Sequence, residues 1–170
     1  MNSYAYFTIL AMKTIISFLL LSITAFSCSA PSTQTAIEDT APDKTTMQQE
    51  IIAADKAMSE MALKDGFFKA LSVYADPGFV KLDEGSFPVI GKKAFDEKFS
   101  AAGPKTLSWE PVAADVAASG DLGYSWGNWK FVQPDTTYYG NYFTAWKKQA
   151  DGSWKAALDG GNNTPAPEQP

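Results

Sequence analysis

From Thr106 to Asp159 the chain runs through four stretches in which large apolar or aromatic residues alternate with polar ones. Alternation with period two places successive side chains on opposite faces of an extended backbone, so the stretches at 106–119, 122–132, 139–149 and 153–159 read as strands. They are parted only by Gly120-Asp121, by Gln133 to Thr136 and by Ala150-Asp151-Gly152. Connections this short return a strand beside its predecessor, which gives an antiparallel meander.

The first half follows the helical period. Thr46 with Gln49 forms a capping-box pattern, and a helix is expected from there to about Asp65, ended by Gly66. Its apolar stripe is Ile51, Ile52, Met58 and Ala62, with Asp55 at the centre, since 51, 55, 58 and 62 repeat at helical spacing. A short helix is expected at 67–74 and another at 92–102, where Phe95 and Phe99 lie one turn apart. Extended runs at 79–83 and 87–90 fall between them. Helices followed by a meander make one α+β domain over 47–160, and the Gly, Asn and Pro content of 161–170 predicts a disordered tail.

Ahead of this domain, from Met12, stand Lys13, an apolar run to Phe26 and then Ser27-Cys28. A short positive start, an apolar run of secretory length and small residues make a signal peptide over 1–28, with Met12 as an alternative start because Met1 to Ala11 carry no basic residue. Ala25-Phe26-Ser27-Cys28 resembles a relaxed lipobox, so Cys28 is the expected lipidation site. The protein is then expected outside the cytoplasm, periplasmic or on the cell surface, with the membrane touched through a lipid anchor only. Ser29 to Thr46, rich in Ser, Thr, Pro and acids, reads as a flexible tether.

Composition removes several chemistries. The 14 basic residues are all lysines, no histidine occurs, and Cys28 is the only cysteine. Without imidazole there is no triad and no imidazole-based zinc site. With a net charge of −5 and no guanidinium group, nucleic acid is not an expected partner. No cofactor and no metal site is expected. Any chemistry falls to Asp, Glu, Lys, Tyr, Ser, Thr or Asn.

Five segments recur in one known order: Ile51 to Met58, Tyr74-Ala75-Asp76, Pro88 to Ala94, Ser119 to Gly127, and Tyr142 to Gln149 with Asp151 to Lys155. Over about 47–163 they resemble the domain of unknown function 4440 group of the nuclear transport factor 2-like, SnoaL-like superfamily. The resemblance implies a cone-shaped, cystatin-like fold with helices packed on a curved antiparallel sheet, a pocket at its open end, and often a homodimer through the sheet. It implies no single activity, because such folds carry isomerases, dehydratases, cyclases and binding modules alike. In an ungapped match from Tyr74, the position of the ketosteroid isomerase base falls on Leu82, with Asp83 one place later and so on the other face of a strand.

Within this frame Asp55 stands out, because a carboxylate in an apolar stripe must be neutralised or hydrogen-bonded. It is either a ligand acceptor or general base at a pocket floor, or an acid satisfied by a buried Tyr or Trp of the sheet. Tyr124, Trp126 and Asn128 share one strand face and Tyr142, Thr144 and Trp146 share another, and together they are expected to line an aromatic pocket. Trp109 and Asp159 are further candidates, with Pro111 expected to bulge the strand that bears Trp109. Trp129, Phe131 and Phe143 would then form the opposite, apolar surface. The expected function is binding of a small apolar or aromatic molecule. The alternatives are an isomerase- or dehydratase-type enzyme using Asp55 as acid-base, and an interaction module of the cell envelope.

Overall fold

A computed structural model describes residues 43–168 of the chain. The expected signal peptide at 1–28, the expected lipidation site Cys28 and the expected tether up to Pro42 lie outside the described residues.

The first helix, α1, spans Lys44–Asp65 and buries Met47, Ile51, Asp55, Met58, Ser59 and Ala62 on one face. It begins before the expected cap and takes in residues assigned to the tether. The Thr46 capping box is not what starts it: Lys44 Nζ lies 2.7 Å from Asp115 Oδ1, and Gln48 Nε2 donates to the same oxygen at 3.0 Å. A sheet carboxylate thus secures the first turn. Next comes α2, Phe67–Tyr74, leading straight into β1, Ala75–Lys81, and the two-residue β2, Val89–Ile90. The third helix, α3, covers only Lys92–Lys98, because Phe99 leaves the helical conformation where its ring stacks on Phe68 at 4.4 Å.

The meander is formed by β3 (Leu107–Val116), β4 (Leu122–Val132), β5 (Thr137–Lys148) and β6 (Trp154–Thr164). The strand order is β2-β1-β6-β5-β4-β3, with β1 parallel to β6 and the remaining pairs antiparallel. The sheet is therefore mixed rather than wholly antiparallel, because the α1–α2 hairpin delivers β1 alongside the last strand. β3 carries a bulge between Pro111 and Ala113. β6 runs five residues past the expected end, and Gly161, Asn162 and Asn163 pair with Tyr142, Asn141 and Gly140. The disordered-tail reading is corrected there: ladder pairing needs only backbone groups, which a Gly and Asn composition does not remove.

Helix α1 packs on the inner face of β3, β4 and β6. Trp146, Phe79, Phe95, Ile51, Met58 and Leu71 are fully buried between the layers. Trp146 Nε1 donates to Ser125 Oγ at 2.8 Å, so the largest core ring leaves no orphan donor.

Candidate functional site

Alternation on β4 decides what the site can contain. Gly123, Ser125, Gly127, Trp129 and Phe131 face inward, whereas Tyr124 and Trp126, 39% and 43% exposed, point outward with the exposed Asn128. The register confirms the division, since Gly127 lies opposite Tyr142, Ser125 opposite Thr144 and Gly123 opposite Trp146. The structure thus corrects the expected pocket wall: Tyr142, Thr144 and Trp146 are interior, but Tyr124, Trp126 and Asn128 do not join them. The physical reason is room. A Cβ on Gly123 would lie 2.5 Å from Ile51 Cδ1, and one on Gly127 would lie 2.8 Å from Tyr142 Cε1. Only a narrow strand face lets α1 and the β5 rings share the interior. Trp129 and Phe131 move inside for the same reason, leaving Phe143 with Tyr124 and Trp126 on the outer face.

Asp55 is fully buried. Its Oδ1 accepts from Trp109 Nε1 at 2.6 Å and its Oδ2 from the Tyr142 hydroxyl at 2.8 Å. One turn further along α1, the Ser59 hydroxyl donates to the Trp109 carbonyl at 2.8 Å and accepts from the Trp109 amide at 3.0 Å. Residues 55 and 59 therefore fix both the ring and the backbone of Trp109 from a single helix face. Burial drives the Asp55 carboxyl pKa above its ordinary value, against the hydrogen bonds from Ser125, Tyr142 and Trp109. Burial, and then the facing Asp55 charge, push the Tyr142 phenol upward too, so it stays a donor.

In front of these rings lies a cavity of about 200 Å³. Its apolar walls are Phe67, Leu107, Trp109, Trp129 and Tyr142, and its rim carries Leu82, Asp83, Glu84 and Asn163. Phe67 and Trp109 meet edge to face with centroids 5.9 Å apart, and Trp109 meets Tyr142 at 6.2 Å. Asp55 does not line this space; Trp109 and Tyr142 stand between. The expected direct contact of Asp55 with a ligand is thereby corrected to a positioning role, because its two oxygens are occupied by the groups that form the wall.

A buried ion pair forms the polar side. Lys81 and Asp159 are each 7% exposed, with Lys81 Nζ 2.9 Å from Asp159 Oδ1 and 3.0 Å from Asp83 Oδ1. Thr144 donates to Asp159 Oδ2 at 2.9 Å. Burial pulls the ammonium toward neutrality, but Asp159 and then Asp83 outweigh it and raise its pKa, so Lys81 stays charged. Lys81 was not a sequence candidate, although it shares a strand face with the buried Phe79 two residues earlier. Leu82 and Asp83 both border the cavity, and the Asp83 carboxylate is engaged by Lys81. Among the described residues there is no cluster of acids able to hold a metal, and no helix is long and apolar enough to cross a membrane.

No family model matches the chain, and no curated protein matches it. Solved structures do. A ketosteroid isomerase-like protein from Erwinia carotovora atroseptica superposes with a TM-score of 0.55 at 17% identity, covering 68% of this chain and 95% of that one. An NTF2-like protein with a cystatin-like fold from Novosphingobium aromaticivorans gives 0.50 at 14% identity over 66% and 79%. The CaMKII hub of S. rosetta gives 0.53 at 14% identity over 69% and 96%. The described domain has the nuclear transport factor 2-like, cystatin-like α+β fold.

Proposed function

We propose that this protein is an exported small-ligand-binding domain whose cavity, walled by Phe67, Trp109, Trp129 and Tyr142, takes a small, flat, largely apolar molecule without transforming it. The observation that carries the reading is the way Asp55 and Ser59 orient Trp109 as a cavity wall while every indole N–H and phenol O–H of that wall is satisfied from behind. Rings fixed in this manner present their faces and edges to the cavity at no further ordering cost. About 200 Å³ suits one or two rings, since a cavity of roughly 150 Å³ already admits benzene. An acid-base role for Asp55 finds less support, because a general base must come within about 3 Å of the proton it takes.

Thermal melting against a panel of one- and two-ring compounds tests this. A ligand at about a hundred times its dissociation constant adds roughly 2.7 kcal/mol, a shift of several degrees. The shift is expected to vanish in Trp129→Ala and to persist in Trp126→Ala. The reverse pattern would move binding to the outer sheet face, and an unresponsive panel would remove the ligand.

Two further proposals accompany it, the first from the sequence and the second from the face that the structure leaves exposed. Cys28 carries a lipid anchor, and equal fatty-acid labelling of cells expressing the natural chain and Cys28→Ala would refute it. A homodimer forms through the outer sheet face at Tyr124, Trp126 and Phe143, which are 39–43% exposed and contiguous, with Trp126 opposite Phe143 in the ladder.

A further inference from the structure

Hydrogen-bonding supply around the cavity is one-sided. An ammonium has three N–H bonds. Lys81 faces three acceptors with them: Asp159 Oδ1 at 2.9 Å, Asp83 Oδ1 at 3.0 Å and the Leu82 carbonyl at 3.2 Å. The Trp109 indole N–H and the Tyr142 O–H are both given to Asp55, and the Trp129 indole N–H goes to the Asn141 carbonyl at 3.1 Å. The rim amides of Asn162 and Asn163 already give one N–H each, to the Asn163 carbonyl and to Glu84. Each of these amides keeps one N–H, and beyond these two donors the cavity offers acceptors. Asp83, Glu84 and Asp159 all line it together with Lys81, and three carboxylates against one ammonium leave two net negative charges. A carboxylate oxygen can take more than one donor, so Asp159 retains capacity beyond Lys81 and Thr144.

An anionic ligand would meet two net negative charges and a lysine with no donor to spare. A neutral hydrocarbon would fill the aromatic part and leave the rim carboxylates to water. A cation with N–H bonds satisfies both halves, with its donors on Asp83, Glu84 and Asp159 and its ring against the indoles, where a positive charge is also favoured by the π faces.

We infer that the ligand of this cavity is a small ring-bearing cation with N–H donors, an arylalkylammonium or an arylamidinium. This rests on the binding reading above and adds the charge and the donor set of the ligand to it. A recognition device of this kind uses Lys81 as an internal counterion: it neutralises enough of the acidic cluster for the domain to fold, and leaves enough for a guest cation.

Three compounds of one size and different charge separate the possibilities: benzylammonium, benzyl alcohol and benzoate. Their dissociation constants for the full chain, measured by calorimetry at neutral pH and low salt, are expected to fall in that order of tightness. The amine should bind about tenfold or more tighter than the alcohol, as charge-assisted bonds exceed neutral ones. In Asp83→Asn/Glu84→Gln, which removes two of the three carboxylates and leaves Lys81 its Asp159 partner, the amine should fall to within about twofold of the alcohol. Equal binding of alcohol and amine would overturn the charge inference while leaving the binding reading intact. Benzoate as the tightest ligand would show that Lys81 donates into the cavity, and would overturn it as well. Failure of all three would overturn both readings.

Discussion

At the scale of single residues, Asp55 joins helix and sheet. Hydrogen bonds to an ionised group are worth about 1.5–3 kcal/mol net, and a buried donor left without a partner costs about 1–3 kcal/mol. Asp55→Ala orphans two such donors, so a loss of about 2–5 kcal/mol is expected from urea unfolding. Asp55→Asn costs less, because the amide oxygen still accepts from one ring. The natural chain and Asp55→Asn also separate in pH. An acid whose folded pKa lies above its unfolded value favours folding fully below the unfolded value, near 3.9 for Asp, and that contribution is lost as pH rises through the folded value. From about pH 4 upward the natural chain should therefore lose stability relative to Asp55→Asn. A difference independent of pH, or one growing in the opposite sense, would contradict the buried-acid account. Helical spacing alone marked Asp55 as an acid in an apolar stripe. A Tyr or Trp of the sheet was one of the two alternatives weighed for it, but which rings was out of reach, because Trp109 and Tyr142 arrive from strands 54 and 87 residues away.

At the scale of elements, period-two alternation and Gly-Asp punctuation made the four meander strands visible, while the facing of β4 stayed hidden. Both of its faces carry aromatic rings, so apolarity could not choose between them; what chose was the volume of α1 against Gly123 and Gly127. That choice is testable. Gly123→Val should cost about 1–3 kcal/mol in urea unfolding, since its Cβ would stand 2.5 Å from Ile51 Cδ1 and 2.7 Å from the Asp115 carbonyl. A cost below about 0.5 kcal/mol, the usual range for an exposed surface change, would mean that Gly123 faces solvent and that the sheet has the other parity. The parallel β1–β6 pair was likewise illegible, because nothing local to either strand names its neighbour. Lys81 was a missed signal rather than a hidden one: its strand parity with Phe79 already placed it inside.

At the scale of the molecule, the same fold appears among similar structures as a ketosteroid isomerase-like protein and as a CaMKII hub, so the fold leaves function to the site. Two surfaces compete for that role, the inner cavity at Trp109 and Trp129 and the outer face at Tyr124, Trp126 and Phe143. If the outer face forms a homodimer, Phe143→Lys should give a monomer in sedimentation, and a natural chain that already sediments as a monomer would refute the dimer. The inner cavity is the central claim, and the five tryptophans report on it directly through their indole N–H signals in a nitrogen-15 proton correlation spectrum. On titration with benzylammonium, the signals assigned to Trp109 and Trp129 should move together along one saturating curve while that of Trp126 stays in place. Movement of Trp126 with Trp109 and Trp129 unmoved would place binding on the outer face and contradict the account.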